Sequence, residues 1–230
     1  MMSFWHRLID LISPRACCIC GGRLSAEEDV LCTVCNLHLP RTHFSTNAYD
    51  NIMARRFWGR IPVERAAALF YYEAGSEVSG MVHDLKYHDR PDIGYVMGRM
   101  AAEEMAGHDF FADIDLIIPI PLEKKRRRQR GYNQSEEIAR GVAEVARRPV
   151  VTDAVERTDF KGSQTRKSLR ERMENVEGAF RLTGKYDLTD KHLLVIDDIV
   201  TSGATICSCV EAMMASGHFK VSVLSLGVVK

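Results

Sequence analysis

The stretch from His192 to Thr205, HLLVIDDIVTSGAT, constrains the fold more than any other part of the chain. HLLVID (192–197) is a short, almost unbroken apolar run, as expected of a strand buried on both faces of a parallel sheet. It delivers two adjacent carboxylates, Asp197 and Asp198, to its carboxyl end. A loop of small residues then opens a helix expected over 203–215. Open α/β sheets bind ligands at that junction. The backbone N–H groups of Thr201, Ser202, Gly203, Ala204 and Thr205, with their hydroxyls and the positive helix end, form a cradle for a phosphate. The two acids stand beside it, placed to accept hydrogen bonds from sugar hydroxyls and to hold a hydrated Mg²⁺. A phosphate next to vicinal hydroxyls describes a ribose 5-phosphate. A Ser/Thr-capped helix after an acidic turn explains the hydroxyls but not the paired carboxylates. The GxxxxGK[ST] pattern of a Walker loop is absent.

The texture around this stretch is an alternation of strands and helices. Strands are expected at 66–72, 115–120, from 150, and at 220–229. Helices are expected with Val78, Met81, Val82 and Leu85 inward, over 93–105, and over 133–146. This is an α/β protein with a parallel sheet covered on both faces.

The N-terminal part reads differently. Phe4, Trp5, Leu8, Ile9, Leu11 and Ile12 are spaced as a short docking helix ended by Ser13-Pro14. Next come Cys17-Cys18-Ile19-Cys20-Gly21-Gly22 and Cys32-Thr33-Val34-Cys35, two CxxC pairs separated by eleven residues. Two such knuckles supply a closed tetrahedral zinc shell from Cys17, Cys20, Cys32 and Cys35, with Cys18 and His38 as competing donors. Four ligands leave no open position, so the zinc is expected to be structural. The module's four basic and four acidic residues between 1 and 45 give no support for DNA binding by it alone. Residues 46–65 read as a connector. Cys207 and Cys209 read as packing residues.

Charge is balanced overall, 31 Lys+Arg against 31 Asp+Glu, which excludes an indiscriminate polyanion binder. It is segregated, however. Residues 123–130 carry six basic side chains against one acidic, and residues 157–172 six against two. The first window follows the strand 115–120 and reads as a pyrophosphate loop, with Pro119, Pro121, Lys124, Arg127 and Arg130 leading to Asn133 and Gln134 at the next helix. The second overlaps the segment 162–180, which has no regular periodicity and reads as a basic lid. Seven cysteines, five of them between 17 and 35, fit a reducing compartment, and no run approaches the roughly 20 apolar residues of a membrane span. No secretory signal is recognised, and a cytoplasmic location is expected.

The stretch ending in DDIVTSGAT resembles the motif with which type I phosphoribosyltransferases bind 5-phosphoribosyl 1-pyrophosphate (PRPP). The chain as a whole resembles the ComF family of competence proteins. The resemblance rests on the CxxC pairs, Tyr72-Glu73, His83-Asp84-Leu85-Lys86-Tyr87, Pro119-Ile120-Pro121, Arg127, Arg130-Gly131-Tyr132-Asn133-Gln134, Gln164-Thr165 to Asn175, and 197–205. It implies a zinc ribbon within 1–45 and a type I phosphoribosyltransferase fold over 66–230. It further implies binding of PRPP with Mg²⁺ through Asp197, Asp198 and the 201–205 loop, and a place for Lys86 in the cleft; Lys86 reads equally as a surface lysine on an amphipathic helix. In that superfamily the 6-oxopurine members carry an aspartate where this chain has Thr201, which argues against hypoxanthine or guanine as substrate. The family role implied is handling of single-stranded DNA during natural transformation, with a helicase-like competence partner. Two function classes follow: a pyrophosphate-releasing phosphoribosyltransferase, or a non-catalytic nucleic-acid or partner-binding adaptor that uses the phosphate pocket as a sensor.

Overall fold

The computed structural model of the protein describes residues 14–158 and 178–230. The helix expected over 4–12 and the part of the basic lid from 162 to 177 lie outside the described residues.

Four strands form one sheet: β1 (Val63–Tyr72), β2 (Leu116–Pro119), β5 (His192–Val200) and β6 (Lys220–Val229). Their order is β1-β6-β5-β2 and every pairing is parallel. The α/β parallel sheet expected from the sequence is therefore present. β6 is buried from Val221 to Val228 and β5 from His192 to Ile196, so both faces are covered. That is why these strands read as continuous apolar runs rather than as alternating ones. Two short strands, β3 (Val155–Arg157) and β4 (Phe180–Leu182), pair antiparallel as a separate ribbon.

The described helices of one turn or more are α1 (Thr33–Leu37), α2 (Glu77–Tyr87), α3 (Pro91–Ala106), α4 (Lys124–Arg130), α5 (Gln134–Ala146) and α6 (Ala204–Met213). In α2 the buried residues are Val78, Met81, Val82 and Leu85, the face predicted from their spacing. α3 and α5 pack on each other and on the sheet. Their axes approach so closely that a Cβ at Gly141 would stand 2.0 Å from the Tyr95 carbonyl oxygen. Only glycine fits there.

Three expectations need correction. The strand from 150 is a single parallel bridge, Val150 to Ile117. The basic run expected as a loop is the helix α4; Lys and Arg have good helix propensity, and Gly131 ends the helix with φ +79°. The segment read as a connector is packed against the sheet. A 3₁₀ turn at Phe44–Thr46 leads into it and a second lies within it at Ala54–Arg56, with Met53, Ala54 and Phe57 buried. Thr42 N donates to Leu69 O (3.1 Å), Tyr71 N to Pro40 O (2.8 Å) and Asn51 Nδ2 to Ala66 O (2.8 Å). These bonds satisfy the outer edge of β1, which would otherwise offer a template for strand addition.

Candidate functional site

The N-terminal cysteines converge. Cys17, Cys20, Cys32 and Cys35 bring their sulfurs within 4.8 Å of one another. Cys20 Sγ and Cys32 Sγ are 3.8 Å apart, the edge of a tetrahedron with metal–sulfur bonds of about 2.3 Å. Backbone N–H groups of Gly22, Cys32 and Cys35 point at Cys20, Cys17 and Cys32 sulfurs, each at 3.4 Å. Such donors orient thiolates around a metal. The set fits a structural zinc. Of the two competing donors, Cys18 is not in the cluster, and burial pushes its thiol up to about 12. His38 turns its Nδ1 to the Val34 carbonyl oxygen (2.8 Å).

The second site lies at the carboxyl ends of β2 and β5. β5 continues through both acids to Val200 instead of ending at Asp197. Asp197 Oδ1 accepts from Asp198 N (2.9 Å) and from Ser135 Oγ (3.3 Å). Asp198 Oδ1 accepts from Ile199 N (2.6 Å), and its Oδ2 meets Lys86 Nζ at 3.0 Å. Lys86 comes from α2, so the structure places it at the acidic pair. Burial, and then the neighbouring Asp198 charge, push the Asp197 carboxyl up to about 7, against the pull of Lys86.

After β5 the chain turns at exposed Thr201 and Ser202, and Gly203 caps α6 at φ +75°. A Cβ on Gly203 would lie 2.7 Å from the Phe57 ring. Arg60 Nη1 donates to the Ser202 carbonyl oxygen (3.0 Å). The segment read as a connector thus buttresses the 201–205 loop through Phe57 and Arg60. Neither carries a motif, and no periodicity marks them.

A cavity of about 160 Å³ lies beside the acidic pair, lined by Lys86, Pro121, Arg130, Asn133, Gln134, Asp197, Asp198 and Thr205 among the expected residues. Arg126 and Arg157, one from each basic window, line it too, as does Ser135, which sequence reasoning had not singled out. Arg157 sits in β3, only 3 residues long, which leaves too little pattern to read. Gln134 is 2% exposed, and its Nε2 has no hydrogen-bond partner among the described residues. Its Oε1 accepts from Arg130 Nη1 (2.8 Å), and the Arg130 guanidinium also covers the Tyr87 ring.

Other expected residues have structural partners of their own, Asn133 included although it lines the cavity. Asn133 is buried; its side chain caps α5 and donates to Ile120 O (2.9 Å). Pro119 is buried within β2. Arg127 grips Glu136 through two bonds (2.8 and 3.1 Å). With Lys124 it lines an adjoining groove of about 550 Å³ against β3 and β4, which shares Pro121, Leu122 and Arg157 with the acidic cavity. That groove is larger than the acidic cavity; chemistry rather than size picks out the latter.

No protein-family model matches the chain. Among curated proteins, DNA utilization protein YhgH of Shigella flexneri is 26% identical over 91% of this chain and 88% of its own length. Its Salmonella typhi counterpart is 28% identical over 94% and 98%. Competence protein F of Haemophilus influenzae is 26% identical over 49% of each chain. The chain is similar in sequence to these proteins. The similarity to the DNA utilization proteins runs along nearly the whole chain, and that to the competence protein, whose family the motifs resemble, along half of it. Among solved structures, a glutamine PRPP amidotransferase from B. subtilis overlaps 61% of this chain and 30% of its own at 19% identity and TM-score 0.39. A hypoxanthine-guanine phosphoribosyl transferase from L. donovani overlaps 58% and 67% at 16% identity and TM-score 0.36.

Proposed function

We propose that the protein binds a ribosyl phosphate, PRPP or a close relative, in the cleft at Asp197 and Asp198, as part of single-stranded DNA handling in the cytoplasm. The observation that carries this reading is the buried, unpartnered Nε2 of Gln134 lining the same cavity as the two carboxylates. A buried donor without an acceptor costs about 1–3 kcal/mol, a cost that an anionic ligand relieves. Lys86, Arg126, Arg130 and Arg157 surround the same space and supply counter-charge for phosphates.

Thr201 to Thr205 hold the 5-phosphate through backbone N–H groups at the start of α6. Asp197 and Asp198 accept from the ribose hydroxyls. Mg²⁺, which binds proteins through one or two carboxylates plus substrate phosphates, fits the acidic pair once Lys86 passes from Asp198 to a phosphate. Zinc in the four-cysteine cluster is structural in this reading. The DNA role comes from the names of the relatives, and a helicase-like competence partner from the family resemblance.

Calorimetric titration of PRPP with Mg²⁺ tests the binding. Wild type is expected to bind, and Asp197→Asn/Asp198→Asn to lose at least tenfold in affinity. Equal binding by both would place the site elsewhere. Turnover is a separate question, read as pyrophosphate released when an acceptor attacks C1 and the C1–O bond to pyrophosphate breaks. Binding without release by any nucleobase or amine acceptor would assign the pocket to the sensing role.

A further inference from the structure

The end of α2 carries a second group of metal-ligating side chains, formed by residues other than the cysteines. His83, Asp84 and His88 bring their ligand atoms within 4.8 Å of one another. His88 Nδ1 lies 2.7 Å from Asp84 Oδ1, and its own backbone N–H caps the helix on Asp84 O (3.0 Å). The His83 ring stands 5.0 Å from the His88 ring and 4.8 Å from that of Tyr87. Helix geometry explains the meeting. Asp84 and His88 are i,i+4 neighbours, and the His83 ring reaches the same turn. The cations close in sequence point elsewhere: Arg90 forks onto Asp92 at 2.7 to 3.1 Å, and Lys86 reaches Asp198.

We infer that His83, Asp84 and His88 form a binding site for a divalent transition-metal cation of the zinc and nickel class. Metal–ligand bonds of about 2.0–2.2 Å put neighbouring ligand atoms roughly 3–3.5 Å apart. The Asp84–His88 pair is already close to that spacing, and the exposed His83 closes the remainder by side-chain rotation. The metal takes the place of the proton between His88 Nδ1 and Asp84 Oδ1. Two imidazoles and one carboxylate suit borderline cations rather than Mg²⁺ or Ca²⁺, which prefer all-oxygen shells. Three protein ligands leave coordination positions for water, unlike the closed cysteine cluster. The site spans 83 to 88 and so brackets Lys86. Metal binding therefore stiffens the turn that presents Lys86 to the acidic pair.

Full-length protein carrying zinc on its cysteines, with any affinity tag removed, is titrated with Ni²⁺ by calorimetry. One nickel per chain is expected. His83→Ala and His88→Ala should each weaken binding at least tenfold and together abolish it, with the nickel-free melting midpoint unchanged because both side chains are exposed. Absence of nickel binding by wild type, or equal binding by the double variant, overturns the inference. So does nickel uptake accompanied by zinc release or by thiolate-to-nickel absorption, which would put the metal on the cysteines.

Discussion

The cysteine cluster and the acidic cleft are both built from short contiguous motifs, yet they stand in opposite energetic states. At the cysteines every ligand faces one point, and backbone donors support the sulfurs. At the cleft two carboxylates crowd each other, one amide donor is unpartnered, and a lysine from another helix holds the acids. The first arrangement is complete once a metal binds and serves stability. The second leaves like charges and a buried donor uncompensated, the pattern that the proposed ligand would relieve.

Breaking the complete site should have the larger effect. Cys32→Ser, or removal of metal by a chelator, is expected to unfold the module around residues 16–36, because structural zinc contributes about 10 kcal/mol or more to such folds. Amide hydrogen exchange should show protection lost there while β5 and β6 keep theirs. Equal protection before and after chelation would mean the module stands on side-chain packing alone.

At the cleft, Gly203→Ala forces a Cβ into the Phe57 ring at a positive φ. A loss of about 2–3 kcal/mol in denaturant unfolding is expected, together with weaker phosphate binding.

Asp197→Asn should act in the opposite direction on stability. The folded carboxyl titrates near 7 against an ordinary 3.8, so its stabilising contribution is full below about 4 and lost as pH rises through 7. The variant should therefore be more stable than wild type at pH 8 and equal to it near pH 4. The asparagine amide must itself find partners in the same buried place, which holds the gain to about 1–2 kcal/mol. Melting midpoints across that range decide it, and a variant less stable at pH 8 would remove the contrast between the two sites.

The smallest effect belongs to Arg60→Gln, which deletes a charged donor to the Ser202 carbonyl at the protein surface. Faster amide exchange at 202–205 and a several-fold weaker affinity for ribose 5-phosphate are expected, at about 1 kcal/mol.

The same contrast explains what the sequence made legible. Cys17 to Cys35 and Asp197 to Thr205 carry their chemistry at fixed local spacing, and the strands and helices around them follow apolar periods. Phe57 and Arg60 escaped notice because the buried residues of their segment lie in 3₁₀ turns, which follow neither a helical nor a strand period. Lys124 to Arg130 has no apolar position to register as a helix, although its propensity allowed one. Ser135 and Arg157 reach the cleft from separate elements, a relation that only the fold creates.

The sheet order also dictates a sequence of events at the ribosome. β6, the final strand in chain order, lies between β1 and β5 and bonds to both. Until residues 220–229 have emerged from the exit tunnel, β1 and β5 each present an open, apolar flank with no native neighbour on that side. The nascent polypeptide is therefore expected to depend on chaperones until β6 is synthesised, and products terminated before it should aggregate rather than accumulate as folded fragments.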